Sequence, residues 1–201
     1  IQSLQSKLFD TKDTEIKKSI KKEIEDKEWE LIEYKLNREK GLSFKEIQEL
    51  KKQRKLHKRP YFLWKLEFSK VFKENNGFDI VISNPPYIQL QKNHGKLANE
   101  LKNQGYNTFA RTGDIYCIFY EKGLSLLKEK GILCYITSNK WMRAGYGEKL
   151  RGFLAENSNP IKLIDFSGTK VFESATVDVN IFIASKEENK KYTLACTIED
   201  N

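Results

Sequence analysis

Asn84-Pro85-Pro86-Tyr87 is the stretch whose residue types could do chemistry together. Asn84 offers an amide oxygen as acceptor. Pro85 offers a backbone carbonyl that no sheet partner need occupy. Pro86 removes a competing N–H and stiffens the turn, and Tyr87 offers a flat aromatic face. Two acceptors beside an aromatic plate suit a planar substrate carrying an NH2 group, such as an exocyclic base amine or a carboxamide. The lone pair of such a nitrogen is delocalised, so it is a poor nucleophile. Two acceptors drawing on its two N–H bonds localise that lone pair and favour attack on an electrophile. This is electrostatic preorganisation of the transition state, and it needs no general base.

The elements around the tetrapeptide place it where ligands bind. Phe78 to Ile82 is an apolar run interrupted only by Asp79, bounded by Gly77 and the prolines. It predicts a short strand buried on both faces, as in a parallel sheet. Pro85 pushes Asn84 out of the α region. The motif should therefore be a stiff loop at the carboxyl end of a strand, the usual ligand edge of an open α/β sheet.

With Trp64-Lys65-Leu66-Glu67-Phe68, Val71-Phe72 and Gly77-Phe78-Asp79 ahead of it, the motif resembles a known family. These are the adenine-N6 DNA methyltransferases of type IIG restriction–modification enzymes, which use S-adenosylmethionine. The resemblance implies that Asn84, Pro85, Pro86 and Tyr87 form the catalytic loop. Asn84 and Pro85 would accept the two N6 hydrogens and Tyr87 would stack on the base. Phe172, in Val171-Phe172-Glu173, would supply a second face to a flipped adenine. Phe119, on the helix after the catalytic loop, would touch the cofactor. The resemblance covers residues 60 to 186, the catalytic half of the domain. The family's glycine-rich cofactor loop has no counterpart before residue 78, and Asp165-Phe166-Ser167-Gly168 has one glycine and comes too late. The main S-adenosylmethionine loop is thus expected outside this chain. The implied partners are double-stranded DNA with a flipped adenine and the remainder of a larger polypeptide, carrying the cofactor half and a target-recognition domain, with the presence of a nuclease domain left open.

In chain order, Leu4, Leu8, Ile16, Ile20, Ile24, Leu31 and Leu36 recur at helical spacing among dense Lys and Glu, predicting one long helix. Gly41 should end it, Ser43 to Glu46 forms a capping box, and Leu42 and Ile47 form a staple. Residues 1–58 read as a helical hairpin and residues 59–201 as the catalytic half. The Lys-rich faces of the hairpin read as a solvated mixed-charge surface, with DNA phosphate contact as the alternative. Alternation at Phe62, Trp64, Leu66 and Phe68 predicts an extended segment. Residues 89 to 112 read as a mobile loop with a short helix near Lys96 to Lys102. A helix N-capped by Asp114 should run to Glu129, with a strand from Ile132 to Thr137 after Gly131, completing a βαβ unit. A helix from Gly147 to Glu156 precedes strands Ile161 to Phe166 and Val179 to Ala184. The expected fold is α/β, a partial Rossmann-like methyltransferase sheet of about four strands, mostly parallel with an antiparallel partner near the end.

Composition bounds the function classes. The 201 residues carry a formal net charge of +8, which agrees with a polyanionic partner. Three cysteines without a CxxC pair, and two histidines in polar surroundings, argue against a disulfide framework, a zinc site or any metal centre. Cys117 and Cys134 read as reduced core residues. No apolar stretch is long enough to span a membrane and no signal peptide is visible, so a cytoplasmic location is expected. The chain begins at Ile1 and its only methionine is Met142, which reads as a fragment. Methylation of protein glutamine or of guanine N2 in ribosomal RNA is an alternative, because the same tetrapeptide serves those planar NH2 groups. A non-catalytic scaffold module is another. The helical insertion and the Phe172 loop favour DNA.

Overall fold

Strand pairing sets the frame that carries the motif. The protein is described here from a computed structural model, in residues 1–40, 48, 52, 62, 64–169, 171–172 and 177–198. The chain divides into two compact units, Ile1–Lys70 and Val71–Asn201.

The first unit holds α1 (Gln2–Asp10) and α2 (Thr14–Lys40), where the sequence predicts a single helix. Polar side chains break it. Thr11 is extended, and Asp13 Oδ1 accepts from the backbone N–H of Glu15 at 2.8 Å and Ile16 at 3.0 Å, which starts a new helix. Ile20, Ile24, Trp29 and Ile32 are buried, whereas Ile16 of the expected apolar face is exposed. The capping box and staple at residues 42–47 lie outside the described residues. In the hairpin's second arm only Gln48 and Lys52 are described, and both are helical. The expected extended segment is instead helical, as α3 (Trp64–Glu67) and α4 (Ser69–Asn75). Trp64 and Phe68 lie four residues apart and stack at 5.8 Å, so a spacing that also fits alternation is used as a helical one.

The second unit is built on a five-stranded sheet of order β1-β2-β4-β3-β5. The strands are β1 (Phe78–Ser83), β2 (Leu127–Ser138), β3 (Asn159–Asp165), β4 (Val179–Ser185) and β5 (Leu194–Thr197). β1 runs parallel to β2, and β3 parallel to β5. β4 alone is reversed, antiparallel to both β2 and β3. The mixed α/β fold and the late antiparallel strand agree with the sequence. β5 was not expected, being only four residues long and exposed throughout.

Helices α5 (Lys96–Leu101), α6 (Tyr116–Leu126) and α7 (Glu148–Asn157) complete the unit. One sheet face, with Leu133 and Tyr135 of β2 and Phe182 and Ala184 of β4, is buried in a single core with Tyr116, Cys117, Tyr120 and Leu124 of α6 and Leu150 and Leu154 of α7. α6 lies close on β2 at Gly123. A Cβ there would meet Leu133 Cδ1 at 2.8 Å and collide with the Tyr135 hydroxyl.

Two expectations need correction here. β1 is an edge strand rather than one buried on both faces: Ile80 is 58% and Ile82 74% exposed. α6 stops at Leu126 rather than near Glu129, because Leu127 is drawn into the sheet opposite Phe78. The chain then bulges before Ile132 pairs with Ile80, with Lys130 at φ 63°. Gly77 admits this geometry. Its φ is 145°, and a side chain there would lie 2.6 Å from Lys128 N.

Gly123→Ala is expected to destabilise the chain by about 1–3 kcal/mol through overpacking of α6 on β2. Urea unfolding followed by circular dichroism measures this, and a midpoint equal to wild type would show that the helix can move off the strand freely.

Candidate active site at the carboxyl edge of the sheet

β1 delivers the motif to the carboxyl edge, as the prolines require. Along the loop, Asn84 is exposed, Pro85 fully buried, Pro86 exposed and Tyr87 half-buried. The Asn84 side chain makes no hydrogen bond to the described residues, so its amide oxygen stands free to accept. Tyr87 packs against the core and meets Tyr116 edge-to-face, with ring centroids 6.0 Å apart at 83°. Its hydroxyl reaches the Ile136 carbonyl only at 3.5 Å. Burial, and secondarily the Asp114 charge, push the Tyr87 phenol above its ordinary range. It therefore stays protonated at neutral pH.

The downstream side of the loop is stitched to the start of α6. Asp114 Oδ1 accepts from Ile88 N at 2.7 Å, Ile115 N donates to Ile88 O at 3.0 Å, and Leu90 N donates to Gly113 O at 2.9 Å. Gln89 and Asp114 form an isolated antiparallel bridge. Sequence reasoning placed Asp114 as a helix cap. The N–H groups of Tyr116 and Ile115 do bear on its carboxylate, but its short bond goes to the motif loop. Desolvation raises the Asp114 pKa and outweighs the backbone donors that lower it.

Residues 89 to 112 are more firmly held than the expected mobile loop. Leu90 and Ala98 are buried with Ile118 of α6. Glu121 accepts from Asn107 N and Nδ2 at 3.2 and 3.1 Å and from Thr108 N and Oγ1 at 2.9 Å each. No spacing rule pointed to Glu121, because its partners lie in an irregular stretch.

The loops after β2 and β3 meet in a polar latch at the same edge. Asn139 Nδ2 donates to Asp165 Oδ1 at 2.9 Å and to Ser167 Oγ at 2.8 Å, and Ser167 Oγ donates to Asp165 Oδ2 at 2.9 Å. Asn139 N also donates to Asp178 O at 3.0 Å, closing the base of the loop that carries Phe172. Phe172 is half-buried in that loop, and residues 173–176 beside it lie outside the described residues. Beneath the latch, buried Asn180 accepts from Thr137 Oγ1 at 3.2 Å and from Trp141 Nε1 at 3.1 Å. Tyr120 bonds Thr137 at 2.9 Å, and burial pushes its phenol up. Phe119, the expected cofactor contact, is partly buried against the core, and its carbonyl accepts from Tyr135 Oη at 3.3 Å. Cys117 is buried, and desolvation pushes its thiol up to about 12; Cys134 is half-buried and Cys196 exposed. Among the described residues no cluster of His, Cys, Asp and Glu could hold a metal ion.

β1 thus carries the Asn-Pro-Pro-Tyr loop at the carboxyl edge of a mixed α/β sheet. The particular family follows from comparison. Residues 2–172 match the Eco57I restriction-modification methylase model, and the chain belongs to that family. It is 31% identical over 59% of its length to the type II restriction enzyme and methyltransferase RM.Eco57I of Escherichia coli. It is 37% identical over 56% of its length to the type II methyltransferase M.BanIII of Aneurinibacillus aneurinilyticus. A third relative, 29% identical over 51% of the chain, is the adenine-specific methyltransferase BrxX of Escherichia coli O9:H4. The chain spans 12%, 19% and 8% of these three proteins, respectively.

Asp114→Ala should leave the part-buried Ile88 N–H without its charged acceptor and cost about 1–3 kcal/mol of local stability. Amide exchange at Ile88 should then speed up by about tenfold or more, while β2 and β4 amides keep their protection. Asp114→Asn, which retains an acceptor oxygen, should restore most of it. Unchanged exchange in the alanine variant would mean that the other stitches suffice.

Proposed function

We propose that this chain is the amine-accepting part of a site-specific DNA methyltransferase that acts on adenine N6 in a restriction–modification system. The observation that carries the reading is the free, exposed Asn84 amide beside a buried proline, at the carboxyl end of β1 on a loop pinned by Asp114. The family membership and the adenine-specific name of one relative support it. So does the absence of a basic group from the motif, because the chemistry needs acceptors rather than a base.

In this reading Asn84 Oδ1 and the Pro85 carbonyl take the two N6 hydrogens and shift electron density onto nitrogen. Pro86 holds the loop stiff between them and Tyr87. A duplex adenine cannot reach Asn84 from within the stack, so it is rotated out. Tyr87 takes one face of the base and Phe172 the other. S-adenosylmethionine, when bound, supplies the methyl electrophile. Phe119 lines its side of the site, and its main contacts come from outside this chain. β1 is an edge strand, and Ile80 and Ile82 leave one of its faces bare, which supports coverage by the remainder of a larger polypeptide. That remainder would hold the cofactor half and a target-recognition domain. In this reading residues 1–58 are an insertion ahead of the catalytic half, 59–201. No helix among the described residues is long and apolar enough to cross a membrane.

Two measurements test this. In the intact enzyme, Asn84→Ala should lower methyl transfer to adenine by about 10²–10³ or more while DNA affinity stays near wild type. Turnover like wild type would remove Asn84 from its role, and transfer to RNA or to protein glutamine instead would reassign the substrate. Separately, calorimetry on this chain alone should find weak or no affinity for S-adenosylmethionine, because no glycine-rich loop precedes β1. Micromolar affinity would place a complete cofactor site within these residues.

A further inference from the structure

The turn after β2 is held more firmly than a connection requires. Ser138 Oγ accepts from Lys140 N at 3.3 Å, and the Lys140 carbonyl accepts from Arg143 N at 3.1 Å and Ala144 N at 2.8 Å. Trp141 is buried, with its Nε1 on Asn180. Arg151 reaches in from α7 and donates to the Trp141 carbonyl at 2.7 Å and the Ala144 carbonyl at 3.1 Å. Gly147 rests against that same Trp141 carbonyl, where a side chain would collide. The buried half of the turn is thus fixed by an indole, a guanidinium and a glycine.

Its outer half presents Lys140 and Arg143, both exposed. Among the described residues Lys140 has no ion-pair partner. Arg143 approaches only Asp165 Oδ2, at 3.7 Å, and is 78% exposed. The two carboxylate oxygens of Asp165 are already engaged by Asn139 and Ser167. Asp178 accepts from the Gly168 N–H at 3.4 Å. The guanidinium therefore keeps most of its donors free. Position matters as much as charge. β1 and β2 are adjacent and parallel. β1 ends at Ser83 opposite Tyr135 and β2 runs on to Ser138, so this turn leaves the same edge about 10 Å further along the strand direction than the motif loop.

The geometry points to Lys140 and Arg143 as a phosphodiester-binding platform, gripping backbone phosphates beside the nucleotide offered to Asn84. This rests on the nucleic-acid reading above and names the residues that seat the strand. Arg143 supplies a planar fork of donors and Lys140 a point charge. The fixed backbone beneath them reduces the ordering required when the strand arrives.

The experiment is the salt dependence of binding between this chain and a fluorescein-labelled duplex of random sequence, without cofactor or turnover. Lys140→Gln/Arg143→Gln should weaken binding at low salt and reduce the slope of log K against log salt by about 0.9 for each lost phosphate contact. The loss should be the same for unrelated duplex sequences. Lys18→Gln/Lys21→Gln, which removes two exposed charges from α2, is the matched control and should leave the slope near wild type. An unchanged slope in the first variant, an equal loss in the control, or no duplex binding by wild type at low salt would each overturn the platform. Loss of methylation in Asn84→Ala with no slope change at Lys140 and Arg143 would sink the platform and leave the methyl-transfer reading standing. The reverse pattern would leave a polyanion site without that chemistry.

Discussion

The bond from Ile88 N–H to the Asp114 carboxylate is the constraint on which the candidate site depends. Two prolines fix the φ angles of the motif but remove two backbone donors, so the loop cannot be held by ladder bonds of its own. Its position must come from the first donor after it, and that donor is spent at 2.7 Å on Asp114. A charge-assisted bond in a partly desolvated place is stronger than a neutral one and costly to lose. Because Asp114 also faces the N–H groups that open α6, a single carboxylate ties the motif to the helix packed under β1 and β2.

With its downstream end fixed, the rest of the motif has few choices. Pro85 is buried, Tyr87 lies edge-on against Tyr116, and Asn84 is left facing solvent. With no hydrogen bond to the described residues, the Asn84 amide has no protein bond to break before it accepts one. Tyr116 is itself locked, with its hydroxyl 2.6 Å from that of Tyr146, and burial drives its phenol well above the ordinary range. The aromatic side of the site therefore stands on a fully buried ring rather than on a flexible side chain.

How much of this could be read in the sequence depended on whether the signal was local. The strand ahead of the motif, the loop at its end, the crossover helix and the reversed strand near 180 all announce themselves through apolar runs and breakers. The helical pattern failed where two periods coincide: residues at 62, 64, 66 and 68 fit alternation, but Trp64 and Phe68 also fit one helical face, and ring stacking decides. The break at Thr11–Asp13 was visible only as two side chains able to compete for the backbone. An Ile-Val-Ile strand cannot reveal from composition that one of its faces is bare, since burial is set by neighbours. Glu121, Asn139 and Asn180 were unreadable for the same reason: each bonds partners in distant segments, and only the folded sheet brings them together.

The reversal of β4 explains why Phe172 belongs to the same edge at all. Had β4 been parallel to β3, the chain would have needed a crossover back to the amino edge, and the connection would have left the motif behind. Running antiparallel, β4 begins beside the end of β3, and Asp165 pairs with Asn180. The two ends of that connection are tied together at the carboxyl edge by Phe166 N to Val179 O at 2.9 Å and by Asn139 N to Asp178 O at 3.0 Å. Asn180 joins these ends to the turn after β2 through Trp141. One reversed strand thus brings two loops, one aromatic and one cationic, to the edge where β1 delivers Asn84, and the buried amide of Asn180 fixes their spacing.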